Sequence, residues 1–235
     1  MKNKTLVFTA TFNESENIKN FLNIALRINH IDILIIDDNS PDGTAKIIEN
    51  YKKDNENLHL IVRKEKEGLD TAHKLAFSFA KEKGYSNLIT MDADLSHDPS
   101  KIPIFQSELN SNAFIIGSRY VEGGRNETKL ARYLLSIVGN KIIKIVLGIN
   151  CEEFTTSYRG FNLNKLSNFD INKVNSQGYS FFMETVFRLN NLGYKSIEFP
   201  INFKRRDFGK SKIPKVEIFR TLYNIFKLYF KKKNM

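Results

Sequence analysis

Apolar runs and helix-patterned stretches alternate through the first half of the chain. Residues 4–11 ("KTLVFTAT") form a short β-rich run, and residues 14–27 carry apolar positions at helical spacing. "IDILIID" (31–37) is almost continuously apolar and β-branched, which predicts a strand buried on both faces. The alternation repeats with a helix at 45–53, a strand at 58–64 ("LHLIVRK") and a helix at 71–83 that stops at Gly84. A strand at 86–92 ("SNLITMD"), a helix at 100–108 after Pro99 and a strand at 112–120 ("NAFIIGSRY") complete this half. Strand–helix alternation predicts an α/β fold with a mostly parallel sheet covered on both faces. Such sheets bind ligands at the carboxyl ends of their strands. "DDNS", "MDAD" and "GSRY" all fall at those ends, so one site can collect them.

Beyond Tyr120 the pattern loosens. "VEGGRNETK" reads as a loop, and residues 129–147 as a long helix with apolar and basic faces. "FTTSYRGFN" (154–162) and "KSIEFPINF" (195–203) read as strands, and 179–193 as a helix closed by Gly193. A last helix is expected from about Pro214 to Lys232, with Pro214 in its first turn and lysines at its C-terminal dipole end.

Charge changes the picture. The chain has 235 residues and a formal net charge of +10. Residues 202–235 hold eleven Lys or Arg against Asp207 and Glu217, a local +9, which leaves about +1 for the rest. A near-neutral domain with a basic C-terminal segment implies a local anionic partner: phosphate groups, a lipid surface or nucleic acid. The single cysteine, Cys151, excludes an intrachain disulfide. The apolar stretch at the N-terminus is short and makes a poor signal peptide. The nearest candidate for a membrane span, "SIVGNKIIKIVLGI", is broken by Lys141 and Lys144.

The chemistry centres on "MDADLSHDP" (91–99). Carboxylates two residues apart at a strand end can be aimed at one spot, where they repel unless a cation joins them. Mg²⁺ and Mn²⁺ suit such hard oxygen ligands and are commonly shared with substrate phosphates. An isolated pair of this kind also suits an ordinary turn, with Asp98 capping the next helix. Asp37 and Asp38 end a second strand, and neither dinucleotide-binding glycines, a P-loop, zinc-ligand spacing nor a serine-hydrolase motif is present.

Nine ordered motifs carry a resemblance: "TFNESEN", "IIDDNSPDGT", "EGLDTA", "MDADLSHDP", "GSRYVEGG", "RYLLSIVGN", "FTTSYRGF", "QGYSFFME" and "RRDFGKSK". From about Lys4 to Lys215 the chain resembles family 2 glycosyltransferases of GT-A fold, and among them the dolichol-phosphate (polyprenol-phosphate) mannosyltransferases. The resemblance implies a Rossmann-like catalytic domain at 1–212 and a basic amphipathic interfacial helix at 213–235. It implies nucleotide-sugar contacts from Ala10, Phe12, Glu14, Ile36, Asp38, Asp92, Ala93 and Asp94, with Asp37 supporting the loop from beneath. Asp92, Asp94 and Ser96 would hold Mg²⁺ or Mn²⁺. Arg119, Arg132, Arg206 and Lys212 occupy the family's basic positions. With Ser136 they would clamp the acceptor phosphate, and Arg119, Arg206 and Lys212 would also reach the donor. Asp94, Arg119 and Arg206 are the residues expected to carry catalysis. Asn140 follows Ser136 on the same helix face. The chain departs from the family pattern at Ala10, Phe12, Asp70 and Glu153, where Pro, Tyr, Gly and Asp are usual, and Glu184 matches an acid near the sugar.

The implied reaction is inverting, metal-dependent transfer of a hexose to polyprenyl or dolichyl phosphate, with mannose from GDP-mannose as the leading donor. UDP-glucose or another sugar nucleotide is the close alternative. A non-enzymatic anion-binding protein is the distant one, although no nucleic-acid-binding motif is present. The expected location is the cytoplasmic face of a membrane. There the protein would bind peripherally, through the C-terminal helix or a membrane-spanning partner subunit.

Overall fold

A computed structural model describes residues 4–205 and 216–233. Its first half runs β1 (Thr5–Thr11), α1 (Ile18–Ala25), β2 (Ile31–Asp37), α2 (Thr44–Lys52), β3 (Leu58–Val62), α3 (Leu69–Glu82) and β4 (Asn87–Thr90). A single 3-10 turn (Pro99–Lys101) leads into α4 (Ile102–Ser111), β5 (Phe114–Ser118) and the short β6 (Arg125–Asn126). Then come α5 (Leu130–Leu147), β7 (Arg159–Asn162), α6 (Tyr179–Asn191), β8 (Ile197–Pro200), β9 (Asn202–Phe203) and α7 (Val216–Lys233).

Seven strands form one sheet in the order β3-β2-β1-β4-β7-β5-β8, and β6 pairs with β9 beside it. All neighbours are parallel except β7, which runs antiparallel to both β4 and β5. Side-chain alternation along each strand divides the core in two. Leu6, Phe8, Leu34 and Ile36 face Phe77, Phe182 and Leu147, on the side of α3, α5 and α6. Val7, Ile33, Ile35 and Ile89 face Phe21, Ile48 and Phe105, on the side of α1, α2 and α4.

Several elements differ from the sequence pattern, among them β6, which lies within the loop expected at 121–129 and pairs with β9. Residues 14–17 form a turn, with Asn17 N and Ile18 N both donating to Glu14 O, so α1 starts four residues late. Only 159–162 of the run at 154–162 is a strand, because the amides of Thr155 and Thr156 donate to the Glu153 carboxylate and leave no ladder donors. Alternation alone places β5 beside β4, yet β7 lies between them.

At the C-terminus, α7 packs on α5 and α6. Asn224, Ile225 and Leu228 are buried there, while Tyr223, Phe226 and Phe230 stay exposed. Lys232 Nζ donates to the Leu147 carbonyl at the end of α5. Tyr223, Phe226 and Phe230 therefore face outward, while Asn224, Ile225 and Leu228 pack inward.

Candidate active site at the carboxyl ends of the strands

The ends of β1, β2 and β3 make one wall. Asp37 is fully buried beneath it. Its carboxylate accepts from Thr11 Oγ1 (2.7 Å), Ser40 Oγ (2.6 Å) and Ser40 N (2.8 Å), which ties the "DNSPDGT" loop to β1. Asp42 extends the tie by accepting from Thr44 N and Oγ1 and from Ser15 N. Ile36 is buried, and Ala10 is half-buried at the end of β1. Phe12 lies under Lys66, whose Nζ is 4.2 Å from the ring centroid. Glu14 accepts from Asn17 Nδ2 at 2.8 Å.

Asp38 is buried and ion-paired with Arg63. Arg63 also donates to Thr71 Oγ1 (2.6 Å) and to the Gly68 carbonyl (3.0 Å). This single guanidinium joins the ends of β2 and β3 to the first turn of α3. Arg63 was hidden in sequence by its place in the charged run "RKEKEG". Asp70 is buried in that first turn, and its Oδ1 receives a long hydrogen bond (3.4 Å) from Gly178 N at the start of α6. The carboxylate that departs from the family pattern thus bridges two helix N-termini.

The Asp92–Asp94 loop leaves β4 at the next strand end. Leu95 takes φ of 60°, a left-handed conformation costing about 1–2 kcal/mol for a residue with a Cβ. Asp94 Oδ1 accepts from Ser96 N (3.0 Å), and Asp92 Oδ1 accepts from Ser157 Oγ (2.6 Å). Asp92 N donates to His97 Nδ1 (3.1 Å), which places the ring proton on Nε2, 3.3 Å from Thr156 Oγ1. His97 is buried against Tyr158 and Phe203, and burial pushes its pKa below the ordinary imidazole value. A neutral His97 therefore braces the loop. Ser96 Oγ is fully buried and has no hydrogen-bond partner among the described residues. Two carboxylates and an orphaned hydroxyl on one strained loop fit a hard divalent cation. Ala93 is buried between the two carboxylates.

Arg119, one residue beyond β5, makes a forked pair with Glu153. Nε donates to Oε2 (2.6 Å) and Nη2 to Oε1 (2.9 Å), with a further bond from Nη2 to Thr155 Oγ1 (3.0 Å). Glu153 is fully buried and also accepts from Thr155 N, Thr155 Oγ1 and Thr156 N. Burial pushes its pKa up most strongly, but the Arg119 charge and the hydrogen bonds from Arg119 and Thr155 together outweigh burial and hold the carboxyl below its ordinary value. The Arg119 guanidinium also lies about 5.1–5.2 Å from the Tyr120 and Phe203 rings. Gly124 lets the following loop fold back here, since a Cβ would sit 2.8 Å from the Arg119 carbonyl carbon.

On α5, Arg132 is exposed and Ser136 Oγ accepts from Tyr120 OH (2.6 Å). Asn140 turns inward instead, donating to Ser136 O and accepting from Phe154 N, so both ends of its amide hold structure. Glu184 likewise faces structure. It accepts from Asn175 N and Ser176 N and pairs with Arg188. Arg206 and Lys212 lie outside the described residues. The chain leading to them is placed, however: Lys204 N donates to Ser96 O (3.0 Å), and Lys204 and Arg205 line a cavity of about 120 Å³ with Asp94, Leu95 and Asp98. A larger hollow of about 560 Å³ opens at the opposite end of the sheet, between Lys4, Asp32, His59 and Tyr85, so size alone does not locate this site.

The model of the family described as Glycosyl transferase family 2 matches residues 6–169, a span holding both aspartate pairs, Arg119 and Glu153. The chain belongs to that family. Two curated relatives extend the match. The undecaprenyl-phosphate mannosyltransferase of Micrococcus luteus is 32% identical over 212 residues, covering 89% of this chain and 87% of the relative. The polyprenol monophosphomannose synthase of Mycolicibacterium smegmatis is 33% identical over 229 residues, covering 94% and 85%. Among solved structures, a Pyrobaculum calidifontis mannosyltransferase in complex with GDP-Man and Mn²⁺ superposes with TM-score 0.59 at 14% identity, over 99% of this chain and 64% of that one. Glucosyl-3-phosphoglycerate synthase from Mycobacterium tuberculosis, with Mn²⁺, UDP-Glc and glycerol 3-phosphate, gives 0.62 at 14% identity, over 97% and 80%. These superpositions establish the GT-A fold. The protein is thus a family 2 glycosyltransferase.

Proposed function

We propose that this glycosyltransferase moves mannose from GDP-mannose to a polyprenyl phosphate with inversion, giving a β-linked polyprenyl-phosphate sugar. The observation that carries the reading is relatedness along most of the chain to two curated enzymes named for polyprenyl-phosphate mannosyl chemistry. Ala10, Phe12, Glu14, Ile36 and Asp38 line the nucleotide side, with Arg63 fixing the Asp38 carboxylate. Asp92, Asp94 and Ser96 hold Mg²⁺ or Mn²⁺, which when bound neutralises the diphosphate leaving group.

The acceptor phosphate monoester is largely ionised near neutral pH, its second pKa being ~6, so no dedicated general base is required. Its oxygen attacks the sugar C1 as the bond from C1 to the diphosphate oxygen breaks, and the nucleoside diphosphate departs with that electron pair. What the protein supplies is alignment. Arg119 is held rigidly by Glu153 for this purpose, with Arg132, Ser136, Arg206 and Lys212 completing the phosphate clamp. The catalytic unit is 1–212. The helix within 213–235 works at the cytoplasmic surface of a membrane, where the acceptor's head group is accessible, and no nucleic-acid partner is involved.

UDP-glucose is the second reading, favoured by the structural neighbour solved with that donor. Purified protein incubated with a panel of radiolabelled sugar nucleotides, Mg²⁺ or Mn²⁺ and a polyprenyl phosphate decides between them. Label from GDP-mannose is expected in the lipid extract. Label from UDP-glucose alone would replace the donor assignment, and no lipid label from any donor would remove the reading.

A further inference from the structure

Asp92 and Asp94 are aimed by different parts of the chain. Asp94 is held from within its own loop, where Oδ1 accepts from Ser96 N at 3.0 Å. Asp92 is held from two sides. Its amide donates to His97 Nδ1, and the neighbouring Met91 amide donates to the Phe8 carbonyl of β1, so the backbone here is fixed. Its carboxylate is met by Ser157, 65 residues further on, whose Oγ donates to Oδ1 at 2.6 Å.

Sheet register brings Ser157 there. β7 runs antiparallel to β4 with Thr90 opposite Arg159, and the same register carried two residues past the strand sets Ser157 across from Asp92. The Ser157 carbonyl accepts from Thr90 Oγ1, which anchors its backbone on β4. The preceding amides, of Thr155 and Thr156, donate to the buried Glu153 carboxylate. Ser157 is thus a rigidly mounted donor, 6% exposed, while the Asp92 side chain is 32% exposed. Water reaches Asp92, so the serine is not needed to satisfy a buried charge. What a short, charge-assisted bond from a fixed donor adds is orientation.

We propose that Ser157 is a positioning residue for the metal-binding loop and biases that loop toward small octahedral cations. This role rests on the reading of Asp92, Asp94 and Ser96 as the holders of Mg²⁺ or Mn²⁺. A carboxylate whose Oδ1 is engaged by a hydroxyl is hindered from chelating a cation through both oxygens. Ca²⁺ accepts two-oxygen carboxylates in a large, adaptable shell, whereas Mg²⁺ demands near-ideal octahedral geometry from few carboxylate oxygens, and Mn²⁺ shares the octahedral preference. Ser157 therefore favours Mg²⁺ and Mn²⁺ over Ca²⁺ without itself being a ligand.

The test reads metal affinity in place of turnover. Full-length protein with saturating GDP, and in parallel with UDP, is titrated with Mn²⁺ by loss of the free-ion EPR signal, and Ca²⁺ affinity is read by displacement of the bound Mn²⁺. Ser157→Ala should weaken Mn²⁺ binding about tenfold or more, the usual effect of losing a group that orients a metal ligand. Ca²⁺ should lose less, so that the preference for Mn²⁺ over Ca²⁺ narrows at least about threefold. Ser157→Thr, which keeps the hydroxyl, should restore the wild-type preference. The metal-free Tm of Ser157→Ala should stay within about 2 °C of wild type, because Thr90 bonds the backbone carbonyl and water satisfies Asp92. Unchanged Mn²⁺ affinity in Ser157→Ala overturns the proposal, as does an equal loss for Mn²⁺ and Ca²⁺, which would mark general loosening of the loop. If the added methyl of Ser157→Thr unfolds the protein, the Mn²⁺/Ca²⁺ ratio in Ser157→Ala decides alone. A wild-type protein that binds no Mn²⁺ with either nucleotide removes the metal reading and this role with it, whereas Mn²⁺ binding indifferent to Ser157→Ala removes this role only.

Discussion

Replacing Glu153 with Gln isolates the pair that holds Arg119. The substitution keeps the side chain's size, removes its charge and turns one of its two accepting oxygens into an amide donor. Glu153 is fully buried and accepts two bonds from Arg119 and three from the 155–156 segment, so no water replaces the lost charge. Breaking a buried pair costs about 3–5 kcal/mol, because the surviving partner is left uncompensated. The Arg119 side chain is 11% exposed, which places the expected loss near the lower end, about 3 kcal/mol. For a chain of this length each kcal/mol moves Tm by roughly 2–4 °C, so a fall of about 6–12 °C is expected by calorimetry. The double variant with Arg119→Met should recover part of the loss, with a coupling of at least about 1.5 kcal/mol. The pH dependence has a definite sign. Because Arg119 and the Thr155 hydrogen bonds together outweigh burial and hold the Glu153 carboxyl below its ordinary value, the pair's contribution is complete above about pH 4.3, the unfolded carboxylate value. It disappears as pH falls through the lower folded value, so the Tm gap between wild type and variant should be constant from neutral pH down to about 5 and close in stronger acid. A Tm loss under about 2 °C, or a coupling near zero, would refute the claim that this buried pair holds Arg119 in place.

Asp94→Ala should abolish transfer without lowering Tm; EDTA-resistant activity, or an active variant, contradicts metal binding by this loop. Arg206→Ala should remove a charge-assisted bond worth about 1.5–3 kcal/mol, a roughly tenfold to hundredfold loss in use of the acceptor, and an equal loss of GDP affinity would assign the residue to the donor instead. His73 is buried among Phe8, Phe181 and Phe182, and burial pushes its pKa down to about 3. The unfolded chain takes up a proton near pH 6.5 that the folded chain refuses, so stability should fall by roughly 1–2 kcal/mol between pH 7 and 5.5. His73→Phe should flatten that slope in denaturant titrations at the two pH values, and an unchanged slope would place the proton uptake elsewhere.

Hydrophobic patterning determined the strand–helix alternation, the parallel sheet and the placement of Asp38, Asp92 and Asp94 at strand ends. These follow from local periodicity and from the requirement that each apolar face be covered. The support of the "DNSPDGT" loop by Asp37, which the family resemblance implied, is contained within a few residues of one strand end. What local pattern cannot carry is pairing across long separations. Arg63 meets Asp38 across 25 residues, Arg119 meets Glu153 across 34 and Ser157 meets Asp92 across 65. Each partner looks like an ordinary polar residue until the sheet brings the strand ends together. The insertion of β7 between β4 and β5 is such a case: Arg159–Asn162 contain nothing that names their neighbours, and hydrogen-bond partners on both sides decide the position. Helices α5 and α7 show the same limit. The sequence determined that α5 and α7 are apolar, but with apolar residues on opposite sides of each, only packing against the rest of the fold decided which side stays in water's reach.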